Sequence, residues 1–391
     1  MKPHNNKYPQ SDDMPDPDVS QELGNLRKNI DAIDEKIVAL LSDRQGIVEQ
    51  VVSLKKAHNL PIYHPAREED LISGRRRQGR EAGLNPDFVE DLYRTIIRRS
   101  RVEQASQMSL KSVRPGAVIL IVGGKGHMGS YFRKWFADAG YEVRSLDKDE
   151  WADAETLCRD TDLVILSVPI NLTCKIARQI SPYLPKKAVL ADITSLKEVP
   201  VKAMLDSHPG PVLGLHPLFG SSTSTLDKQI IVATPGREDS SCQWILDQFV
   251  SWGSIIVRAD AREHDEIMHI VQALRHFATF TFGSFLSRRK VELSRTLEFS
   301  SPIYRLEIGM VGRLFAQDPS LYYEIIMASP QRRTLLKEYV ASMNENIELL
   351  EKEDKSLFQG EFMKIAEWFG PFSDQAMRES TYLINKLIER F

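Results

Sequence analysis

The sequence predicts a multi-domain protein in which an all-helical module precedes a doubly wound α/β domain, and a second all-helical domain follows. Three observations carry this expectation. Up to about residue 107, apolar residues recur at three- and four-residue steps. From Val118, strand-like runs alternate with helical patterns, and beyond Glu263 helical periodicity alone continues. A chain of 391 residues, 42% of them hydrophobic, has room for two or three such units and lacks the composition of a disordered chain.

Residues 1–20 are polar, rich in aspartate and proline, and read as a flexible tail. The module expected over 21–108 opens with Leu26, Ile30, Ile33, Ile37, Leu40, Ile47 and Val51, a stripe with no proline until Pro61. That is one amphipathic helix, roughly 45 Å long at 1.5 Å per residue. It cannot bury its stripe within so small a unit, so a second copy of the chain is the expected partner, giving a homodimer. Two more helices follow, from Ala66 to about Ala82 and from Pro86 to about Gln107. The α/β domain is expected over 116–261. Val118–Val122 is a continuous apolar run, as in a parallel strand buried on both faces. Further strands are expected at Glu142–Leu146, Leu163–Val168, Ala188–Ile193, Val212–Leu215, Gln229–Ala233 and Ser254–Val257, several of them separated by helical patterns. The last domain, 262–391, reads as helices with breaks near Pro302, Pro319, Pro330 and Pro371.

With 51 basic against 54 acidic residues, the chain lacks the positive excess of a general nucleic-acid binder. Cys158, Cys174 and Cys242 form no C-x-x-C pair and are too few to staple a protein of this size, so a reducing, cytoplasmic setting is expected. No signal peptide is visible, and no apolar run is long enough to cross a bilayer. Glu263-His264-Asp265-Glu266 and His269 collect metal-ligand types, but the step from His264 to His269 splits them around a helix, so no metal is expected.

Gly124, Gly126 and Gly129 fit G-x-G-x-x-G, with His127 and Met128 between the last two. The loop follows an expected strand and opens an expected helix, the context a dinucleotide site of Rossmann type requires. Asp147, 18 residues beyond Gly129 at the end of the next strand, suits the ribose hydroxyls. A carboxylate there favours NAD over NADP, although Arg144 and Lys148 lie nearby.

On the first helix, Arg44 and Lys55 continue the apolar stripe, whereas Arg27 lies roughly 100° around the helix from Arg44. Cations on a buried face need anionic partners, but snorkelling side chains on a solvated flank fit the same pattern. Residues 23–107 resemble the AroQ-type chorismate mutase module, a helical dimer with active sites built from both chains. The resemblance rests on Leu26-Arg27, Leu41-Ser-Asp-Arg44, Lys55, Pro61-Ile62, Arg67-Glu68 and Gln104. It implies that Arg27 comes from the partner subunit and that Arg27 and Arg44, with Arg67 close by, bind the carboxylates of chorismate. It further implies that Lys55 and Gln104 serve the ether oxygen and Glu68 the ring hydroxyl. His64 stands where some members of the family carry an acidic residue.

His216 sits where a strand gives way to a loop, a position that suits an acid/base group and a structural histidine equally. Residues 118–391 resemble prephenate dehydrogenase through Ser167-Val-Pro169-Ile, Gly214-Leu-His-Pro-Leu-Phe-Gly220, Gln272-Ala-Leu-Arg-His-Phe and Ser300-Ser-Pro-Ile-Tyr-Arg305 through Arg313. The module order matches bifunctional chorismate mutase/prephenate dehydrogenases of tyrosine biosynthesis. That resemblance implies conversion of chorismate to prephenate, then NAD-dependent oxidative decarboxylation to 4-hydroxyphenylpyruvate. His216 would be the base, Ser195 would orient it, Arg313 and Arg305 would bind substrate, Ser167 and Pro169 would line the cofactor site, and His276 would serve inhibition by tyrosine. The alternative is an arogenate/prephenate dehydrogenase whose first module only dimerises or binds an effector.

Overall fold

The structure, a computed structural model, describes residues 17–58, 65–107, 111–237 and 239–388. Residues 1–16 of the tail expected over 1–20, and the turn holding Pro61 and His64, lie outside the described residues. The chain divides into two compact units, the first ending at Lys111 and the second taking in almost all of the chain from Ser112 onward.

In the first unit, α1 (Pro17–His58), α2 (Pro65–Glu81) and α3 (Pro86–Gln107) follow one another. The first helix begins within the segment expected to be tail, because a proline suits the first helical position, where no N–H is needed. Its 42 residues span about 63 Å at 1.5 Å per residue. Helices α2 and α3 lie close enough that a Cβ on Gly79 would come 2.6 Å from Val89 Cγ2. The core is small and includes Val52, Ile72 and Val89. Leu26, Ile30, Ile33, Ile37, Leu40 and Leu54 remain between 49% and 67% exposed, so the stripe on α1 is not covered within its own unit.

The second unit opens with β1 (Val118–Val122), α4 (His127–Asp138), β2 (Glu142–Leu146), α5 (Ala154–Cys158), β3 (Leu163–Leu166) and α6 (Thr173–Ile180). It continues through β4 (Val189–Asp192), α7 (Glu198–Ser207), β5 (Val212–Pro217), β6 (Ile230–Arg237), α8 (Asp239–Ser251) and β7 (Ile255–Arg258). The seven strands form one sheet in the order β2-β1-β3-β4-β5-β6-β7. Strands β3, β4 and β5 are buried along their whole length, apolar throughout in β3 and apart from Asp192 and His216 in β4 and β5. Pairing is parallel from β2 to β5, but β6 runs antiparallel to β5. The reason is local: no helix lies between β5 and β6, and a parallel return needs a crossover. Strand order reverses direction at β1 and β3, so the carboxyl ends of these two strands border the crevice where such sheets take nucleotides.

The remaining chain is helical: α9 (Ala261–Met268), a π-helical turn (His269–Leu274), α10 (Arg275–Arg288), α11 (Leu293–Glu298), α12 (Pro302–Phe315), α13 (Pro319–Met327), α14 (Pro330–Glu351), α15 (Lys355–Phe369) and α16 (Pro371–Ile388). Helices α12, α13 and α14 each start at a proline whose preceding Ser301, Asp318 or Ser329 side chain accepts an N–H of the first turn. The π turn packs against α13 and α14, so it sits inside the helical layer. No helix among the described residues is long and apolar enough to cross a membrane.

Candidate active sites

In the first unit, Arg44 Nη1 on α1 donates to Ser100 Oγ on α3 at 2.6 Å. Glu68, in the first turn of α2, accepts from Arg101 of α3 through both carboxylate oxygens at 2.5 Å. Lys55 is half-buried, and burial and then Arg67 push its pKa below the ordinary lysine value, while Glu68 partly restores it. Lys55, Arg67 and Glu68 are thus within electrostatic reach of one another. Arg27 is exposed and stands apart from them on α1, and the side chain of Gln104 on α3 lies outside the described residues. Two participants, Ser100 and Arg101, escaped the sequence reading. Their spacing of three and four residues before Gln104 places them near its face of α3, which is the signal that could have found them.

In the second unit, the glycine loop between β1 and α4 is shaped so that side chains are excluded. Gly123 holds φ +85°, and a Cβ there would lie 2.3 Å from the Ser167 carbonyl oxygen. A Cβ on Gly129 would lie 2.1 Å from the Gly123 carbonyl oxygen. The first turn of α4, with His127 and Met128, is capped by Gly126, which offers no side-chain acceptor, so its N–H groups and dipole are left for an anion such as pyrophosphate. Ser167 and Pro169 follow β3 on the other side of the crevice. Asp147 Oδ1 accepts from the Lys125 N–H at 3.2 Å, whereas Oδ2 is buried without a partner and suits a ribose hydroxyl. Arg144 is committed elsewhere, to Glu142 and to the carbonyls of Leu157 and Arg159. These residues fit a dinucleotide without a 2′-phosphate.

His216 is the last residue but one of β5 and is 3% exposed. Its Nδ1 lies 2.8 Å from Nε2 of His264 on α9, and the rings meet edge to face. His264 Nδ1 is 2.8 Å from Asp265 Oδ1, and the Asp265 carboxylate also accepts the N–H groups of Lys197 at 2.8 Å and Glu198 at 3.0 Å. Burial works against that carboxylate's charge, but the bonds from His264, Glu198 and Lys197 keep its pKa below the usual range. The Lys197 ammonium is wholly buried against Asp192 at the end of β4. Burial first, then the neighbouring His264, Lys197 and Arg332, push the His216 pKa well below its ordinary value. On the other side of the ring, Gln272 Nε2, from the π turn, is 3.1 Å from His216 Nε2.

Ser195 makes no hydrogen bond to His216, whose two nitrogens face His264 and Gln272. Arg305 donates to the Leu297 carbonyl at 2.6 Å, which ties α12 to the end of α11. Arg313 is exposed and shares a groove with Arg275, His276, Met310, Gln317 and Tyr322. His276 stacks edge to face on Tyr322, and burial, then Arg275 and Arg332, bring its pKa down to about 4. Substrate and regulatory candidates therefore line one groove. The His264-Asp265 dipeptide, set aside in the sequence as a poor metal site, is the direct support of His216. Among the described residues, no three His, Cys, Asp or Glu side chains are arranged to hold a metal ion.

Three protein-family models match the chain in order. Chorismate mutase type II covers residues 26–105, the nucleotide-binding domain of prephenate dehydrogenase covers 141–251, and the dimerization domain of prephenate dehydrogenase covers 260–365. A T-protein of Enterobacter agglomerans is 44% identical over 364 residues, 93% of this chain and 97% of that protein. The chain belongs to the T-protein family. A second T-protein, from Haemophilus influenzae, is 40% identical over 365 residues, with 93% of this chain and 97% of that protein covered. As a member of this family, the chain is a bifunctional enzyme with a chorismate mutase and a prephenate dehydrogenase on one polypeptide. Among solved structures, a prephenate dehydrogenase from A. aeolicus, crystallised with hydroxyphenyl propionate and NAD+, shares the fold of the second unit. Its TM-score is 0.52 at 19% identity over 65% of this chain and 98% of that one.

Proposed function

We propose that the first unit rearranges chorismate to prephenate and that the second oxidises prephenate, with loss of its ring carboxylate, to 4-hydroxyphenylpyruvate. The observation that carries the reading is His216, buried at the carboxyl end of β5 in the same sheet whose β1–α4 turn forms the glycine cradle. NAD, when bound, supplies the hydride acceptor for the ring carbon bearing the hydroxyl. Neutral His216 accepts the proton of that hydroxyl at Nε2 as the carbon is oxidised. The bond to the ring carboxylate then breaks, its electrons aromatise the ring and pass to the carbonyl oxygen, which takes back the proton from His216 Nε2, and carbon dioxide leaves. Arg313 pairs with a substrate carboxylate at the groove.

In the mutase no bond to the protein forms. Arg44, and Arg27 from a second copy of the chain, hold the substrate's carboxylates, while Lys55 and Gln104 stabilise charge on the ether oxygen as it develops. The uncovered stripe on α1 supports a homodimer as the complete enzyme. Tyrosine is proposed as the inhibitor. Because His276 shares its groove with Arg313, its binding would compete with prephenate.

Two assays on the purified protein test the assignment: chorismate loss without nucleotide, then NADH appearance with prephenate and NAD+. His216→Asn should reduce the second rate by about 10³-fold and leave the first unchanged. A protein that turns over no chorismate, or a His216→Asn variant that keeps its dehydrogenase rate, would sink the corresponding half.

A further inference from the structure

The hydrogen bonds behind His216 have a direction, and the direction can be worked out from the far end. Asp265 is an ionised carboxylate and can only accept; two of its bonds come from the N–H groups of Lys197 and Glu198. Its third bond, to His264 Nδ1 at 2.8 Å, therefore runs from His264. With His264 neutral, the premise that the measurement below tests, its single N–H is given to Asp265 and its Nε2 carries a lone pair. The 2.8 Å bond between His264 Nε2 and His216 Nδ1 must then be donated by His216. That leaves the lone pair of His216 at Nε2, where the Gln272 amide donates at 3.1 Å.

We infer that Asp265 and His264 are positioning residues that hold His216 as its Nδ1–H tautomer and so present Nε2 as the acceptor for the substrate hydroxyl. This rests on the reading of His216 as the dehydrogenase base. The device is anchored at both ends. His264 and Asp265 stand on α9, whose cap Asp260 accepts the N–H groups of Arg262 and Glu263. The Asp265 carboxylate is bound by two amides at the start of α7, where the helix dipole favours an anion. His264 is 1% exposed and leaves water no route to replace its bond to His216. When His216 takes the hydroxyl proton at Nε2, its Nδ1–H keeps donating to His264, and the Asp265 carboxylate offsets the new positive charge through one intervening ring. Gln272 has a smaller part: its amide occupies Nε2 until the substrate hydroxyl displaces it.

The decisive measurement needs no variant of the relay. The full-length protein, labelled with nitrogen-15 at its nine histidines, is examined by long-range proton–nitrogen correlation NMR at neutral pH, with His216→Asn identifying the His216 signals. The expected pattern is a protonated Nδ1 and an unprotonated Nε2 on His216, with the same pattern on His264. A His216 with its proton on Nε2 overturns the proposal, and so does a doubly protonated His264, which would reverse the bond between the rings. In Asp265→Asn the His216 signals should shift toward the Nε2–H form. The same variant should lose about 10²-fold in dehydrogenase kcat, with KM for prephenate within about threefold of the wild type and chorismate turnover unchanged. His264→Gln, which keeps an acceptor for His216 Nδ1–H, should retain more rate than His264→Ala. An Asp265→Asn enzyme with unaltered kcat and unaltered signals overturns the positioning role. If the tautomer is as expected but His216→Asn keeps full dehydrogenase rate, the base assignment fails while the tautomer assignment stands.

Discussion

The two catalytic regions of this enzyme are built in opposite ways. In the first unit the cations proposed for substrate lie along helices, partly open to solvent, on a long helix whose apolar stripe is uncovered. In the second, His216 is buried, and both its nitrogens are satisfied by side chains of the same chain, drawn from α9 and the π turn. A rearrangement needs a charged mould around a folded substrate, and a mould can be closed by a second copy. Proton abstraction needs one nitrogen with a defined lone pair, and that requires a closed set of bonds. On the proposed assignment, the difference teaches that the mutase would depend on association and the dehydrogenase base on internal packing.

The largest effect that would sharpen the contrast is at Lys55. Lys55→Ala should cost about 10²–10³-fold in mutase rate, by analogy with loss of an oxyanion donor, and nothing in NADH formation from prephenate. Equal loss of both rates would break the division. Next comes complementation. If Arg27 serves the partner's site, mixing Arg27→Ala and Lys55→Ala subunits, each inactive alone, restores about a quarter of the mutase activity. Half of the dimers are then mixed, and each has one intact site of two. His216→Asn mixed with Asp265→Asn should show no such gain beyond the average of the two parents, since both residues act within one chain. The smallest effect is in pH dependence. His216 must be neutral to act, and its pKa lies well below the ordinary value of about 6.5, so the acid limb of kcat/KM for prephenate should fall below pH 6.5. Lys55 must be protonated, and burial and Arg67 lower its pKa, so the alkaline limb of the mutase should come below about 10.4. An acid limb at or above 6.5 would put a different, more exposed group in control.

Much of this was legible in the sequence because it is local. The stripe on α1, the continuous strands and the glycine loop are written in consecutive residues, and the periods of helix and strand make them readable. The antiparallel β6 was not read, because it depends on the absence of a helix between two strands rather than on a pattern within either. The resemblance points to Ser195 as the residue that orients His216, and the structure adds His264 from 48 residues further along. Nothing in the spacing of His216 and His264 signals that they touch; only the packing of α9 against the end of the sheet does so. The same blindness applies to Arg101 on Glu68, where the partners are 33 residues apart on separate helices.

The π turn at His269–Leu274 sets a phase. A turn of this kind holds one residue more than an α-helical turn, and one residue is worth about 100° of rotation. His264 and Gln272 reach opposite sides of the same imidazole, and His276 reaches Tyr322 in the groove, from a single run of helix. Deleting one residue within 269–274 would leave α9 in place and swing α10 around its axis. Gln272 at His216 and His276 at the groove would then lose their common alignment together.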